Sequence, residues 1–250
     1  MLAEERWTTI LDLVERQKTV TVQELTDRLS TSESTVRRDL NQLDHMKKLK
    51  KVHGGATCID PQYVLSDQSM TEKYELNSEE KVVIAVYAAR LIGPDDFVYI
   101  DSGTTTERLV DRIEETRALY VTNSISHARK LVMKGCRVIL PGGEIKPTTE
   151  ALVGADTVEW LRRYQFTVGF WGTNGVSADT GFTTPETSEA MVKKISMEHS
   201  RKRYVLADED KFSKVSLVSF ADFDSAVIIT NHVPDKNLLS YKNIVEVDKL

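Results

Sequence analysis

The sequence predicts an α/β chain in two parts: a small helical head closed by a short β ribbon, then a larger domain built on a parallel sheet. Three observations predict it. Residues 1–57 carry three helical patterns followed by a ribbon with two glycines. From Phe97 onward, seven short apolar runs alternate with helical patterns. Between the two, residues 58–76 mix Asp, Pro, Gln, Ser and Tyr without clear periodicity, and Pro61 breaks any helix there. The expected organisation is therefore a head over 1–57, a linker over 58–76 and an α/β domain over 77–250.

Composition bounds the function classes. The 250 residues are 40% hydrophobic and 28% charged, ordinary for a soluble protein. No apolar run approaches the roughly 18–20 residues needed to span a bilayer. Met1 to Arg6 is charged and has no apolar signal-peptide core, so a cytoplasmic protein is expected, without membrane partners. Cys58 and Cys136 lack C-x-x-C spacing, which points away from disulfides and zinc. The net charge is −5, but residues 1–57 hold 10 Lys/Arg against 9 Asp/Glu, and the remainder 23 against 29. Within Arg37 to His53, six basic residues face only Asp39 and Asp44. A local basic cluster on an acidic chain fits nucleic acid.

In the head, Trp7, Ile10, Leu11 and Val14 recur at helical spacing over residues 3–17. Thr21 with Glu24 forms a capping box, and Val20 with Leu25 a hydrophobic staple, so a second helix runs from Val22 to about Leu29. After Ser30-Thr31-Ser32, a third helix runs from about Glu33 to Met46. Val36, Leu40 and Leu43 form its inner stripe; Ser34, Arg37, Arg38 and Asn41 share the opposite face. Two helices joined by a short turn, the second presenting Arg and Asn, match a helix-turn-helix reader. Arginine can grip guanine edges, Asn can pair with adenine, and hydroxyls suit phosphates. Leu49 to Ala56 would follow as a wing. The candidate DNA contacts are Ser32, Ser34, Thr35, Arg37, Arg38, Asn41, Lys51, His53 and Gly54. A solvated helix face is the plainer alternative for such charges; the capped helix before and the basic stretch after favour DNA.

In the larger part, Asn77 with Glu80 suggests another capping box, opening a helix from about Ser78 to Ile92 that Gly93-Pro94 stops. Strands are expected at Phe97–Ile100, Leu119–Thr122, Arg137–Leu140, Thr167–Trp171, Arg203–Ala207, Ala226–Ile229 and Ile244–Val247. The clearest helices between them are Glu107–Ile113, Ile125–Lys134, Ala155–Arg163 and Glu189–Ser200. Repeated βα units imply a mostly parallel sheet covered on both faces, with ligands outside the carboxyl ends of its strands.

Those strand ends carry similar chemistry. The candidate effector contacts are Asp101, Ser102, Gly103, Thr104, Thr105, Thr122, Asn123, Ser124, Gly142, Gly143, Gly172, Thr173, Asn174, Gly175, Glu186 and Lys211. Glycine-rich turns, hydroxyls, amides and a lysine gathered on one edge suit a small phosphorylated polyol. Singly each is weak, since Ser and Thr after a strand are often only helix caps. There is no P-loop, no G-x-G-x-x-G after the first strand of this domain and no G-x-S-x-G, so no cofactor is expected. The five histidines show no pairing that suggests a metal, and His127 and His199 lie in helical patterns.

Thr21-Val22-Gln23-Glu24-Leu25, Ser32-Glu33-Ser34-Thr35-Val36-Arg37-Arg38-Asp39-Leu40 and Lys51-Val52-His53-Gly54-Gly55-Ala56 resemble the N-terminal signature of the DeoR family of bacterial transcriptional regulators, in order and spacing from Glu4 to Thr57. Lys47-Lys48 depart from it, standing where the family often has a glycine before the wing. Asp101–Thr105, Thr122–Ser124, Pro141–Gly143, Gly172–Gly175, Gly181–Pro185 and Asp208–Phe212 resemble the DeoR sensor domain, which is similar in fold to ribose-5-phosphate isomerase. That isomerase has an Asp-Gly-Ala-Asp-Glu stretch after its middle strand. Here Gly172-Thr173-Asn174-Gly175-Val176 lacks the carboxylates, and Glu186 and Glu189 nearby do not replace them, so binding without turnover is implied.

Met1–Arg6, Leu29–Leu40 and Lys73–Lys81 are similar to fructose-operon repressors of Gram-positive bacteria. The resemblance implies a repressor of a sugar-utilisation operon that binds double-stranded operator DNA, is released by fructose 1-phosphate, and forms a homo-oligomer, a dimer or tetramer. A lactose repressor responding to tagatose 6-phosphate, and a phosphosugar isomerase with an appended DNA-binding module, are the alternatives.

Overall fold

The computed structural model describes residues 3–17, 19–46, 48–52, 54–57, 63–64 and 70–247. The chain divides into two compact units, Met1–Pro61 and Gln62–Leu250.

The first unit runs α1 (Ala3–Gln17), β1 (Thr19–Thr21), α2 (Val22–Leu29), α3 (Glu33–His45), β2 (Lys50–Val52) and β3 (Gly55–Thr57). α2 and α3 each begin where a hydroxyl can take an orphan N–H. Thr21 accepts from the Glu24 amide at 3.1 Å, and Ser32 from that of Thr35 at 3.3 Å. Ser30, in the left-handed region at φ 48°, ends α2. Ile10, Val14, Leu25, Val36, Leu40 and Leu43 are buried together, so the apolar stripes expected from spacing do form the core. The three strands pair antiparallel in the order β1–β3–β2. At Gly55 a side chain is impossible, because a Cβ there would lie 2.1 Å from the Val20 carbonyl oxygen. The ribbon can therefore close against β1 only through glycine.

One polar group within the basic stretch is buried. Asp39 accepts from Arg6 Nε at 2.7 Å, Arg6 Nη2 at 3.0 Å and Trp7 Nε1 at 3.0 Å. Burial alone would raise the Asp39 carboxyl; the Arg6 guanidinium and Trp7 indole outweigh it and hold it below the ordinary range. This carboxylate pins α3 to α1.

The second unit continues with β4 (Tyr63–Val64), α4 (Met70–Glu75), α5 (Ser78–Ala89), β5 (Phe97–Ile100), α6 (Thr104–Arg112), β6 (Leu119–Thr122), α7 (Ile125–Met133), β7 (Arg137–Ile139), β8 (Glu144–Lys146), β9 (Ala151–Val153), α8 (Ala155–Leu161), β10 (Phe166–Gly172), β11 (Gly175–Ser177), β12 (Gly181–Thr184), α9 (Thr187–Glu198), β13 (Ser200–Leu206), β14 (Val215–Ser216), β15 (Val218–Ala221), β16 (Val227–Thr230) and β17 (Ile244–Glu246). A seven-stranded sheet has the order β17–β16–β13–β10–β5–β6–β7, with every pairing parallel. All seven apolar runs expected as strands lie in it.

Alternation along the strands sends side chains to two cores. Tyr99, Trp171, Val205 and Ile228 pack with Leu161 of α8 and Val192 of α9. Val98, Ile100, Phe170 and Leu206 pack with Ile84 of α5 and Leu109 of α6. Successive strands are added to one side after β5 and to the other after β10. The order therefore reverses between these two neighbours, the place where such sheets open a crevice.

Three expectations change. Asn77 is no capping-box residue: it sits at φ 51° and makes no cap, and its amide donates to Asp208 Oδ1 at 3.0 Å and Asp210 Oδ2 at 2.8 Å. α6 starts at Thr104, one turn before the expected Glu107, because the three threonines are themselves helical. The expected linker contains β4, paired with β14, and α4; both belong to the second unit. Among the described residues no helix is long and apolar enough to cross a membrane.

Replacing Asp39 by Ala leaves the Arg6 and Trp7 donors without their acceptor in a poorly solvated place. We expect a loss of about 2–3 kcal/mol from the first unit, read as a lower urea midpoint for its unfolding with the second unit's transition unchanged.

Candidate functional site

In the first unit, Ser34, Arg37, Arg38, Asn41 and Lys51 are all exposed. The Ser32 hydroxyl lies 3.0 Å from that of Ser34 and 2.9 Å from that of Thr35, giving a hydroxyl cluster at the start of α3. Arg37 Nε donates to Glu33 at 2.9 Å, one turn back on the same helix. Arg38 makes no hydrogen bond among the described residues. Lys51 of the ribbon donates its backbone N–H to Asp44 at 2.9 Å and its Nζ to the Asn41 amide oxygen at 2.6 Å. Bidentate pairing of Asn41 with adenine would need that oxygen, so the expected adenine contact competes with Lys51. Gly54, at φ +82°, makes the ribbon turn. His53 lies outside the described residues.

In the second unit, the switch point between β5 and β10 opens a cleft. It is lined by Ser102 to Thr105 after β5, Gly172 to Asn174 after β10, Thr149, Glu189, Lys73, Leu76, Lys81, Lys193 and Lys211. α6 points its N-terminus here, with Gly103 at the cap position and no side chain capping it. Backbone N–H groups and the positive end of the helix dipole are thus available to an anion.

Asp101 lies just behind this wall, 1% exposed. Its Oδ2 accepts from Lys193 Nζ and, at 3.2 Å, from the Gly172 N–H; its Oδ1 has no partner. Lys193 also donates to the Gly172 carbonyl at 3.1 Å. Burial raises the Asp101 carboxyl above its ordinary range, against the pull of Lys193. On the same helix, Glu189 accepts from Lys146 at 2.9 Å, Thr149 at 3.2 Å and Thr184 at 3.3 Å. Thr184 is also 3.4 Å from the Asn174 amide oxygen.

The cleft therefore gathers Ser102, Gly103, Thr104, Thr105, Gly172, Thr173, Asn174 and Lys211 from the sequence candidates, with Asp101 behind them. The rest do not line it. Thr122 accepts the Ser124 N–H at 3.1 Å, and Ser124 caps α7 by accepting from His127. Asn123 braces the β5 turn, accepting the Ser102 N–H at 3.0 Å and donating to the Leu152 carbonyl at 3.3 Å. Gly142 gives its carbonyl to Thr157, and a Cβ on Gly143 would meet that same hydroxyl at 1.9 Å. Gly175 packs against the Lys214 carbonyl, and Glu186 pairs with Lys146 at 3.0 Å. Lys73, Leu76, Lys81, Thr149, Glu189 and Lys193 are the lining residues outside the sequence candidates. His127, buried behind Gly103, has its pKa lowered to about 3 by burial and by Lys130.

Lys81 is 3% exposed, and its Nζ donates to the Lys73 carbonyl and, at 2.6 Å, to that of Leu76. Burial lowers its pKa from the ordinary 10.5 to about 8; Lys211, Arg108 and Lys73 add repulsion and Asp208 opposes it. The folded state thus binds fewer protons than the unfolded between about pH 8 and pH 10.5, and this group's contribution to stability grows as pH rises through that window. Denaturation at pH 8 and pH 10 should show a gain on the order of 1–3 kcal/mol in the wild type that Lys81→Met lacks.

A model of the DeoR C-terminal sensor domain matches residues 76–232, and one of the DeoR-like helix-turn-helix domain matches residues 6–62. The chain is 37% identical, over all of both chains, to an uncharacterized HTH-type transcriptional regulator FruR of Bacillus subtilis (strain 168). It is 31% identical to a lactose phosphotransferase system repressor of Streptococcus mutans serotype c, over 99% of each. Among solved structures, a ribose 5-phosphate isomerase A from Neisseria gonorrhoeae aligns with TM-score 0.41 and 17% identity, over 60% of this chain and 57% of that one, a likeness too slight to carry weight. With both domain models matched and a relative of this identity spanning its full length, the chain belongs to the DeoR family: it is a helix-turn-helix transcriptional regulator with a C-terminal sensor domain, not an enzyme.

Proposed function

We propose that this regulator represses a fructose-utilisation operon and that fructose 1-phosphate, bound in the cleft, releases it from operator DNA. The carrying observation is the cleft's division into two chemistries. Lys73, Lys81 and Lys211 line it together with the uncapped start of α6, which suits a phosphate dianion. Thr149, Thr173, Asn174 and Glu189 line it with acceptors and donors that suit sugar hydroxyls. The relative named FruR, similar over its full length, supports fructose; the lactose phosphotransferase repressors support the second reading, tagatose 6-phosphate. Ser102 to Thr105, Gly172 to Asn174 and Lys211 are the proposed effector contacts; Arg38, Lys51, Asn41 and the Ser32–Ser34–Thr35 hydroxyls are the proposed DNA contacts. We further propose a homo-oligomer, since a dimer would offer two α3 helices to half-sites about 34 Å apart.

A thermal-shift panel on the full chain tests the effector. Fructose 1-phosphate should raise Tm by several degrees at millimolar concentration, with fructose and inorganic phosphate each doing less. A larger rise with tagatose 6-phosphate would replace fructose by the lactose reading.

Lys211→Ala should weaken effector binding about tenfold, by removing one phosphate-facing charge, and leave DNA affinity unchanged. Arg38→Ala should weaken operator binding by about 1–3 kcal/mol with an unchanged Tm. Fluorescence anisotropy against operator DNA reads both; a wild-type affinity in Arg38→Ala would remove that residue from the reading surface.

A further inference from the structure

We propose that Lys81 carries the output of the cleft: one N–H of its ammonium takes an oxyanion oxygen of the bound sugar phosphate while the other two hold the end of α4, so occupancy orders residues 70–76. This rests on the cleft being the effector site and adds how its occupation is passed on.

An ammonium has three N–H donors and no acceptor. Lys81 uses two on the carbonyls of Lys73 and Leu76, at the C-terminal end of α4, where a cation satisfies carbonyls that the helix leaves unpaired. The same side chain lines the cleft. Its position therefore joins the ligand space to the α4 backbone through one nitrogen.

Three cations repel that nitrogen and one acid attracts it. Lys73 and Lys211 line the same cleft, and Arg108 adds to the repulsion. The opposing acid is Asp208, wholly buried, with one oxygen bonded to Asn77 and the other without a partner. A phosphate dianion in the cleft would relieve this repulsion and strengthen the grip of Lys81 on both carbonyls.

α4 is suited to respond. It has six residues, far below the length at which a helix stands alone in water, so its order depends on such tertiary ties. It is also the first helix after the division at Pro61/Gln62, on the stretch of chain that leads back to the DNA-binding unit.

Hydrogen exchange on the full chain tests this, with fructose 1-phosphate, fructose and inorganic phosphate as probes. Saturating fructose 1-phosphate should slow exchange at residues 70–76 at least tenfold, and fructose should not. Lys81→Met, brought to saturation as judged by its own Tm shift, should lose this protection and keep operator affinity within twofold of its ligand-free value.

A wild type whose Tm rises with the sugar phosphate while residues 70–76 exchange as before would overturn the proposal and leave the sensing reading intact. So would a Lys81→Met protein that binds the ligand and still lets go of DNA. No Tm shift with any sugar phosphate would remove the sensing reading, and this proposal with it. If Lys81→Met does not fold or bind, the wild-type exchange comparison decides alone.

Discussion

The sensor unit depends on a buried ion pair. Asp101 and Lys193 have side chains 1% and 7% exposed, and taking two such charges out of water costs several kcal/mol each. The cost is offset by their mutual attraction and by Gly172, which donates its N–H to the carboxylate and accepts from the ammonium. Three elements meet in these contacts: the end of β5, the end of β10 and the inner face of α9. The pair thus fixes the switch point of the sheet, and every lining residue of the cleft is placed relative to it. A hydrophobic pair could fill the volume, but it would not hold Gly172 by both its N–H and its carbonyl.

A second feature follows from the first. α9 brings Glu189 and Lys193 one turn apart onto the same buried face, where each is met by an opposite charge, Lys146 for the glutamate and Asp101 for the lysine. The hairpin of β8 and β9 supplies Lys146, so it is tethered to α9 across the cleft's rim. With those charges internally matched, Lys81 of α5 and Lys211 add positive charge, and the chemistry of the cleft becomes polar at one group of residues and cationic at another.

Much of this architecture was legible in the chain. The seven apolar runs became the seven parallel strands because a strand buried on both faces needs continuous apolar residues, which stand out in any sequence. Thr21 announced α2 through capping chemistry that is local; Ser32 caps α3 in the same way, though the sequence marks it only as part of a polar turn before the helix. The cleft was harder. Thr122, Asn123 and Ser124 have the residue types of a binding loop, yet they satisfy the turn's own N–H groups, and composition does not distinguish the two uses. Asn77 misled for a related reason: its amide was bound for Asp208, 131 positions away. Lys81 and Lys193 lie in helices, where a lysine ordinarily faces water. The available signals were faint: Lys81 opens the apolar run Val82 to Ala89, and Lys193 stands one turn after Glu189 among residues that face the sheet.

His127 has a quieter consequence. Histidine is the side chain that most readily makes a site respond to mild acid. This one is buried directly behind the Gly103 turn, and its pKa near 3 keeps the imidazole neutral throughout the range in which cells live. The turn at the start of α6 therefore has an uncharged imidazole behind it across that range. Any pH response of this cleft near neutrality has to come from other groups, Lys81 among them.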